Sequence, residues 1–306
     1  MPELPEVETI MRGLQKSVTG AEICDVVVRR DQLRWPIPDN FKSKLKYQHI
    51  HTLTRRGKYL LFNLTSGTII VHLGMSGSLR LLNQNQPATT HDHLDLILTK
   101  DRDRNNFLFL ADQTRCAQTK DLPKIESYFG HDPNQLILRY NDPRRFGAIL
   151  WTEENVMEHR LLAQLGIEPL ESGFTGDYLQ SKLSCRRKSI KQLLMDNKIV
   201  VGIGNIYATE ALFLAKINPK ISGESLTAAR CHKLIIAIKQ ILESAILHGG
   251  TTLKDFVNSE GKPGYFSQKL QVYGRAGLSC TRCTAILQSI ILGQRNTTFC
   301  PSCQDK

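Results

Sequence analysis

No apolar run in the 306-residue chain approaches membrane-spanning length, which excludes a helical membrane protein. The N-terminus is acidic (Glu3, Glu6, Glu8) and lacks a hydrophobic signal segment, so a cytoplasmic location is the expectation. Without a route to an oxidising compartment, disulfides are not expected for the eight cysteines. Acidic residues are scarce in one region: residues 185–306 hold 7 Asp+Glu against 17 Lys+Arg, while residues 1–184 hold 22 against 23. Nearly all of the net charge of +11 therefore sits in the C-terminal portion. Such segregation exceeds what solubility needs and reads as a surface for a polyanion. The length and a hydrophobic content of 41% fit a globular chain of two domains with a substantial core.

Four cysteines, Cys24, Cys116, Cys185 and Cys231, are scattered and read as reduced thiols. The others form Cys280-x2-Cys283 and Cys300-x2-Cys303, with sixteen residues between the pairs. Each pair fits a tight turn, and a hairpin between them closes a tetrahedral thiolate site for one structural Zn2+, with no open coordination position.

Removal of Met1, the usual fate of an initiator methionine before a small residue, leaves Pro2 as a secondary amine beside a carboxylate. An α-amino group titrates near neutrality, so much of it is an uncharged nucleophile able to form an iminium with a sugar carbon. Glu3 and Glu6 are candidate proton donors and acceptors. Leu4, Val7, Met11, Leu14 and Val18 give one apolar helical face ending at Gly20. The positive end of that helix points at the amine and depresses its pKa further.

From Ile23 to Trp151 the pattern becomes short strands: 23–30, 47–56, 58–64, 68–73, 78–82, 93–99 and 136–141. So many strands with tight turns predict an antiparallel sandwich or barrel. Arg55-Arg56-Gly57-Lys58 groups cations where two strands meet, and His72-Leu73-Gly74-Met75-Ser76-Gly77 ends a strand with an exposed methionine. Asp142-Pro143-Arg144-Arg145-Phe146-Gly147 carries arginine and an aromatic on a turn, which suits insertion into a nucleic-acid stack. His91-Asp92-His93 reads as polar surface before it reads as a metal pair. Residues 101–134, charged and broken by Pro123 and Pro133, read as a surface insertion.

Beyond Glu153 the pattern is helical: Val156–Leu165, a connecting stretch 166–176, Ser189–Asp196, Asn205–Lys216 with Asn205 as N-cap, and Leu226–Leu247. Two helices joined by the turn 200–204 resemble a helix-turn-helix unit whose exposed N–H groups can hold a phosphate. His248–Gly264 reads as a mobile loop, and Arg295 falls at the tip of the cysteine hairpin.

Together, PELPEVET at 2–9, RRGKYL at 55–60, HLGMSG at 72–77, HDH at 91–93, DPRRFG at 142–147, GIGNIYATEAL at 202–212, GGTTLKDF at 249–256, GYF at 264–266, QVYGRAG at 271–277 and the cysteine tail resemble the bacterial formamidopyrimidine-DNA glycosylases. The resemblance covers nearly the whole chain. It implies an α+β protein: a β-sandwich domain over 1–152, a linker over 153–176, a helix-two-turn-helix domain over 177–268 and a zinc finger over 269–306. It implies a monomeric, bifunctional glycosylase and abasic-site lyase that removes oxidised purines from double-stranded DNA through a Schiff base and β,δ-elimination. In that likeness Pro2 is the nucleophile, Glu3 the general acid/base and Glu6 a supporting carboxylate. Lys58 and Arg295, counted with the catalytic groups, join His72 and Asn205 in gripping phosphates. Met75, Arg144 and Phe146 fill the vacated stack, His91 lies at the DNA, and Lys254 and Tyr265 belong to the loop over the extruded base.

Lys269 stands where a Glu is common in the family, and PELPEV rather than a PEGPEI-like start favours purine over pyrimidine lesions. An endonuclease VIII-like enzyme for oxidised pyrimidines is the alternative within the class. An inactive zinc-ribbon DNA-binding protein is the alternative outside it, and only Pro2, Glu3 and Lys58 argue against that one.

Overall fold

The computed structural model describes residues 2–82, 86–99, 135–251 and 265–304. Helix α1 (Leu4–Val18) leads into two antiparallel four-stranded sheets. The first has the order β1 (Glu22–Val28), β6 (Asp92–Thr99), β7 (Gln135–Asn141), β5 (Ser78–Leu82). The second runs β2 (Ile50–Arg56), β3 (Tyr59–Leu64), β4 (Thr68–His72), β8 (Ala148–Thr152). A short α2 (Phe41–Leu45) covers one end. Val26, Leu94, Leu96, Leu98 and Leu138 of the first sheet pack against Leu60, Phe62, Ile69 and Val71 of the second, and Val7, Ile10, Leu14 and Val18 of α1 join them. The predicted sandwich is present.

Alternation along the second sheet sends Leu61, Ile70 and Leu150 to its other face. Leu161, Leu162 and Leu165 cover them, together with Trp35. This explains why residues 156–165 are not the predicted helix. Only Val156–Glu158 forms a 3-10 turn, and His159 is extended (φ −59°, ψ 135°) and accepts the Leu161 N–H on Nδ1 at 3.4 Å. The apolar spacing there serves a sheet face, not a helical stripe. Strand β8 and helix α3 (Gly176–Leu183) were not singled out by pattern; the predicted insertion 101–134 lies outside the described residues.

The C-terminal half has its own core, built by α3, α4 (Ile190–Leu194), α5 (Asn205–Leu214) and α6 (Ala228–Leu247). The hairpin β9 (Gln288–Leu292) and β10 (Arg295–Phe299) closes the chain.

A buried ionic clasp joins the halves. Glu168, between β8 and α3, accepts Arg55 Nη1 at 2.7 Å, Arg56 Nη1 at 2.9 Å and the Gly57 N–H at 2.6 Å. Glu8 of α1 accepts Arg55 Nε at 2.7 Å, and Arg56 Nη2 reaches the Leu165 and Gly166 carbonyls. The clasp fixes the β2–β3 turn, and the next residue is Lys58. Removing one member of a buried pair leaves the other charge uncompensated. Glu168→Ala is therefore expected to cost about 3 kcal/mol in urea unfolding; a loss within experimental error would refute the clasp.

Candidate functional site

Pro2 is buried directly before α1. Glu3 adopts an extended conformation as the residue preceding the helix, and its carboxylate crosses to the other half of the molecule. Oε2 accepts the N–H of Gly204 at 2.8 Å and of Tyr207 at 3.4 Å, and Oε1 accepts that of Ile206 at 3.0 Å. Glu3 thus satisfies orphan donors at the N-terminus of α5, where a negative charge is favoured. Asn205 is not the N-cap that its residue type suggests; Gly204 is, and it has no side chain to do the work. A Cβ on Gly204 would lie 2.3 Å from Glu3 Cδ, and one on Gly202 (φ +81°) 2.6 Å from Leu4 Cδ1. The two glycines leave room for the N-terminal arm, which Leu4 N–H to Gly202 O at 3.0 Å pins in place.

Glu6 is 2% exposed and accepts three donors: the Glu3 N–H and Thr251 N–H, both at 2.7 Å, and the Tyr207 hydroxyl. Burial, and secondarily the Glu3 charge, push its carboxyl above the ordinary range, while the three donors pull it back. Glu6 is a joint between the Pro2 turn, α5 and Thr251. Thr251 bridges to Tyr265, which is 61% exposed, and Phe266 N–H donates to Gly250 O at 3.1 Å. Tyr207, a residue that the pattern did not mark, holds Glu6 from α5. Lys254 lies outside the described residues.

Lys58 is 8% exposed, and among the described residues its Nζ has one hydrogen bond, to Ile203 O at 3.5 Å. Burial lowers its pKa; Glu3 and Glu6 oppose that, and Arg295 reinforces it, so these four side chains share one electrostatic neighbourhood. His72 faces Lys58 as well. Its Nδ1 accepts the Gly74 N–H at 3.0 Å, which leaves the proton of the neutral ring on Nε2. Burial first, then Lys58 and Arg34, lower its pKa to about 4. His72 is therefore a neutral hydrogen-bond donor at neutral pH, not a cation.

Asn205 Nδ2 donates to the Asn296 carbonyl at 3.2 Å, joining α5 to β10. Lys191, buried on α4, strengthens that junction with Nζ bonds to Asn205 Oδ1 and Thr297 Oγ1, both 2.6 Å, and to Asn296 O at 3.2 Å. Burial lowers its pKa to about 8. A lysine inside the apolar run Ile190–Leu194 was the one available sign of this role. Arg295 begins β10 at the exposed hairpin tip.

The turns carrying Met75 and Phe146 are locked back to back. A Cβ on Gly74 would lie 2.4 Å from Gly147 N, and one on Gly147 would collide with the Tyr140 hydroxyl, so only glycines permit the approach. Fully buried Asp142 organises both turns, accepting Ser76 Oγ at 2.7 Å, Tyr140 Oη at 3.1 Å and the Gly147 N–H at 2.9 Å. Met75 (38% exposed) and Phe146 (48%) project from this base, with Arg144 stacked 5.3 Å over the Phe146 ring. His91 is exposed on the adjoining turn, and its carbonyl accepts the Asp142 N–H at 3.0 Å. His93 points inward, within 2.8 Å of the Asp142 carbonyl, so it braces the turn.

The four Sγ atoms of Cys280, Cys283, Cys300 and Cys303 lie within 4.8 Å of one another. Backbone N–H groups of Arg282 and Cys303 point at the sulfurs of Cys280 and Cys300 at 3.4 and 3.3 Å. Four converging thiolates with amide support fit one tetrahedral zinc ion, whose role is to hold the hairpin. Phe213 of α5 packs into this small core. Three residues before Phe213, Glu210 accepts the N–H groups of Gln271, Val272 and Tyr273 at 2.8 to 3.0 Å.

A neutral imidazole, an under-satisfied lysine and an arginine-tipped hairpin around a buried N-terminal turn, with exposed Met75 and Phe146 alongside, suit a protein that works on nucleic acid, and its relatives identify its class as DNA glycosylase. Profiles for the formamidopyrimidine-DNA glycosylase N-terminal domain match residues 1–119, those for its H2TH domain residues 165–257, and the zinc finger found in FPG and IleRS residues 277–306. The chain belongs to the formamidopyrimidine-DNA glycosylase family, whose members are glycosylases with abasic-site lyase activity. It is 49% identical over 306 residues to the formamidopyrimidine-DNA glycosylase of Shewanella piezotolerans, covering 100% of both chains. To that of Hydrogenovibrio crunogenus it is 45% identical over 304 residues, covering 99% of this chain and 96% of the relative. Among solved structures it resembles the Lactococcus lactis Fpg in complex with an abasic site containing DNA (TM-score 0.81, 32% identity, 99% and 100% coverage). It also resembles a point mutant of the Lactococcus lactis enzyme in complex with a Fapy-dG containing DNA (TM-score 0.81, 32% identity, full coverage of both).

An NMR titration of the His72 ring is expected to give a midpoint of about 4, and a midpoint at the ordinary value of 6.5 would contradict the buried neutral tautomer. The unfolded histidine binds its proton near 6.5 and the folded one near 4, so acid favours the unfolded chain. His72 therefore subtracts stability as pH falls through that window, with the full penalty reached below it. Stripping zinc is expected to weaken binding to lesion-bearing duplex by about tenfold or more, the value of one charge-assisted Arg295 contact. Equal binding after verified metal loss would break the link between hairpin and DNA.

Proposed function

We propose that the chain excises oxidised purines, 8-oxoguanine and formamidopyrimidines, from duplex DNA and then cleaves the abasic site, acting in the cytoplasm with the chromosome. After removal of Met1, the Pro2 nitrogen attacks C1′ of the extruded nucleotide. The glycosidic bond breaks and the base leaves with the bonding electrons. Glu3 takes the proton that the Pro2 nitrogen releases and passes it to the ring oxygen as the C1′–O4′ bond opens, leaving an iminium on Pro2. Loss of a C2′ proton then expels the 3′ phosphate, and a second elimination expels the 5′ phosphate.

Lys58, His72, Asn205 and Arg295 hold the phosphates flanking the lesion, and Met75, Arg144 and Phe146 occupy the gap, offsetting the few kcal/mol that extrusion costs. His91 contacts the backbone beside the wedge, and Tyr265 with Lys254 belongs to the segment over the base. The observation that carries this reading is the position of Glu3: its carboxylate is held on α5 amides one residue from the Pro2 nitrogen. The solved Lactococcus lactis complexes, with Fapy-dG and abasic DNA, support the substrate class.

Borohydride reduction of reactions on an 8-oxoguanine:cytosine duplex is expected to trap a covalent protein–DNA adduct, with Pro2 recovered as the modified residue. A variant with the N-terminus extended, so that the Pro2 nitrogen is an amide, is expected to lower trapping by at least about a thousandfold, as removal of a covalent nucleophile does. Undiminished trapping in that variant would move the nucleophile to Lys58, and faster excision of thymine glycol than of 8-oxoguanine would overturn the purine preference.

A further inference from the structure

Outside the clasp and the site, one cationic group is conspicuous. The loop joining β1 to α2 is anchored on both sides, with Leu33 and Ile37 in the sandwich core and Trp35 on the outer face of the second sheet. Arg34 lies between the anchors. Its N–H donates to Gly147 O at 3.1 Å, tying the loop to the last residue of the Phe146 turn. Its guanidinium stacks 4.7 Å over the Trp35 ring, and that of Arg160 lies 5.8 Å from the same ring. Both arginines are exposed, and among the described residues neither has a carboxylate within ion-pair distance. Arg12, Arg29, Arg55, Arg56 and Arg139 of this half pair with acids, whereas Arg34 and Arg160 are set apart by sharing one indole ring.

We infer that Arg34 and Arg160, seated on Trp35, form a further phosphate-binding site that carries the DNA footprint past His72 along the outer edge of the cleft. The inference rests on the reading of that cleft as the DNA site. Indole stacking holds a planar guanidinium while leaving its N–H edge free, and that edge matches phosphate oxygens. Two cations sharing one ring without a counter-ion repel each other, and an anion between them relieves that repulsion. The loop is pre-ordered by its anchors, so little entropy is lost when a phosphate arrives. Arg34 also lies close enough to His72 and Tyr59 for its charge to act on both.

The test is the salt dependence of binding to a duplex carrying a tetrahydrofuran abasic analogue, read by anisotropy with the full zinc-loaded chain. Each phosphate contact contributes about 0.9 to the slope of log K against log salt. Arg34→Ala and Arg160→Ala are each expected to flatten the slope by about that amount and to weaken binding about fivefold at 0.1 M salt. Arg34→Lys should keep the slope, and Lys42→Ala, whose amine already pairs with Asp25, should leave it unchanged. In Arg34→Ala the His72 midpoint should rise, since a neighbouring cation has gone. Weaker binding at an unaltered slope in both alanine variants would make the pair structural and overturn the inference. Failure of the wild-type chain to bind or to be trapped would instead remove the glycosylase reading, and this one with it.

Discussion

Beside the Glu168 clasp, one carboxylate of the N-terminal arm ties the two halves of this protein together at the site. Glu3 belongs to the N-terminal arm, and the amides that it caps belong to a helix some two hundred residues later. An orphaned helix N-terminus is costly when buried, and an acidic side chain is the partner that both its hydrogen-bonding and its dipole favour. The first turn of α5 has no acidic residue of its own. Gly204 stands at the cap position, so the arm must come, and the residue bearing the candidate nucleophile comes with it. The same contact therefore completes a fold and assembles a site.

Helix α5 extends that logic along its length. Its first turn receives Glu3, Tyr207 holds Glu6, Asn205 meets the zinc hairpin, Glu210 caps the 271–273 turn, and Phe213 packs beneath the cysteines. Ten residues thus set the relative positions of the N-terminal arm, the stem at Thr251 and Tyr265, and Arg295. Its apolar residues do not form one stripe because the helix is buried on nearly every side. Lys191 adds a second tether, from α4 to the hairpin.

Much of this was legible from residue order. The three-four rhythm from Leu4 to Val18, the short strands and the paired Cys-x2-Cys each imply local structure, and the structure contains all three. What stayed hidden depends on partners distant in sequence. Asn205 looks like a cap because caps are local in most helices; the group that displaced it is the Glu3 carboxylate. Residues 156–165 have helical spacing, yet their leucines answer to a sheet face that only folding presents. Glu168, Tyr207 and Asp142 carry no signature of their own, since a buried acid or phenol is defined by what surrounds it. Gly74 and Gly147 were visible as turn residues, but the backbone contact that requires them was not.

The buried charges sort themselves by how fully they are satisfied. Glu3, Glu6 and Glu210 each accept three donors, Glu168 is held by two arginines and an amide, and Lys191 uses all three of its protons. The burial of these groups is offset within the protein, and Glu6, Glu168, Glu210 and Lys191 serve to position their neighbours. Lys58 is nearly as buried and has one long contact among the described residues. His72 has committed only Nδ1, and Arg34, Arg144 and Arg295 reach no carboxylate among the described residues. A folded chain rarely leaves such donors unspent at the edge of a cleft without a partner in prospect. All of them are donors and none an acceptor, so the missing partner must be rich in anionic oxygen. The wedge beside them, apolar and tipped with a guanidinium, further requires that it carry flat stacked groups. A phosphodiester with bases meets both conditions. The unsatisfied donors thus agree with the lesion-bearing and abasic DNA held by the solved relatives.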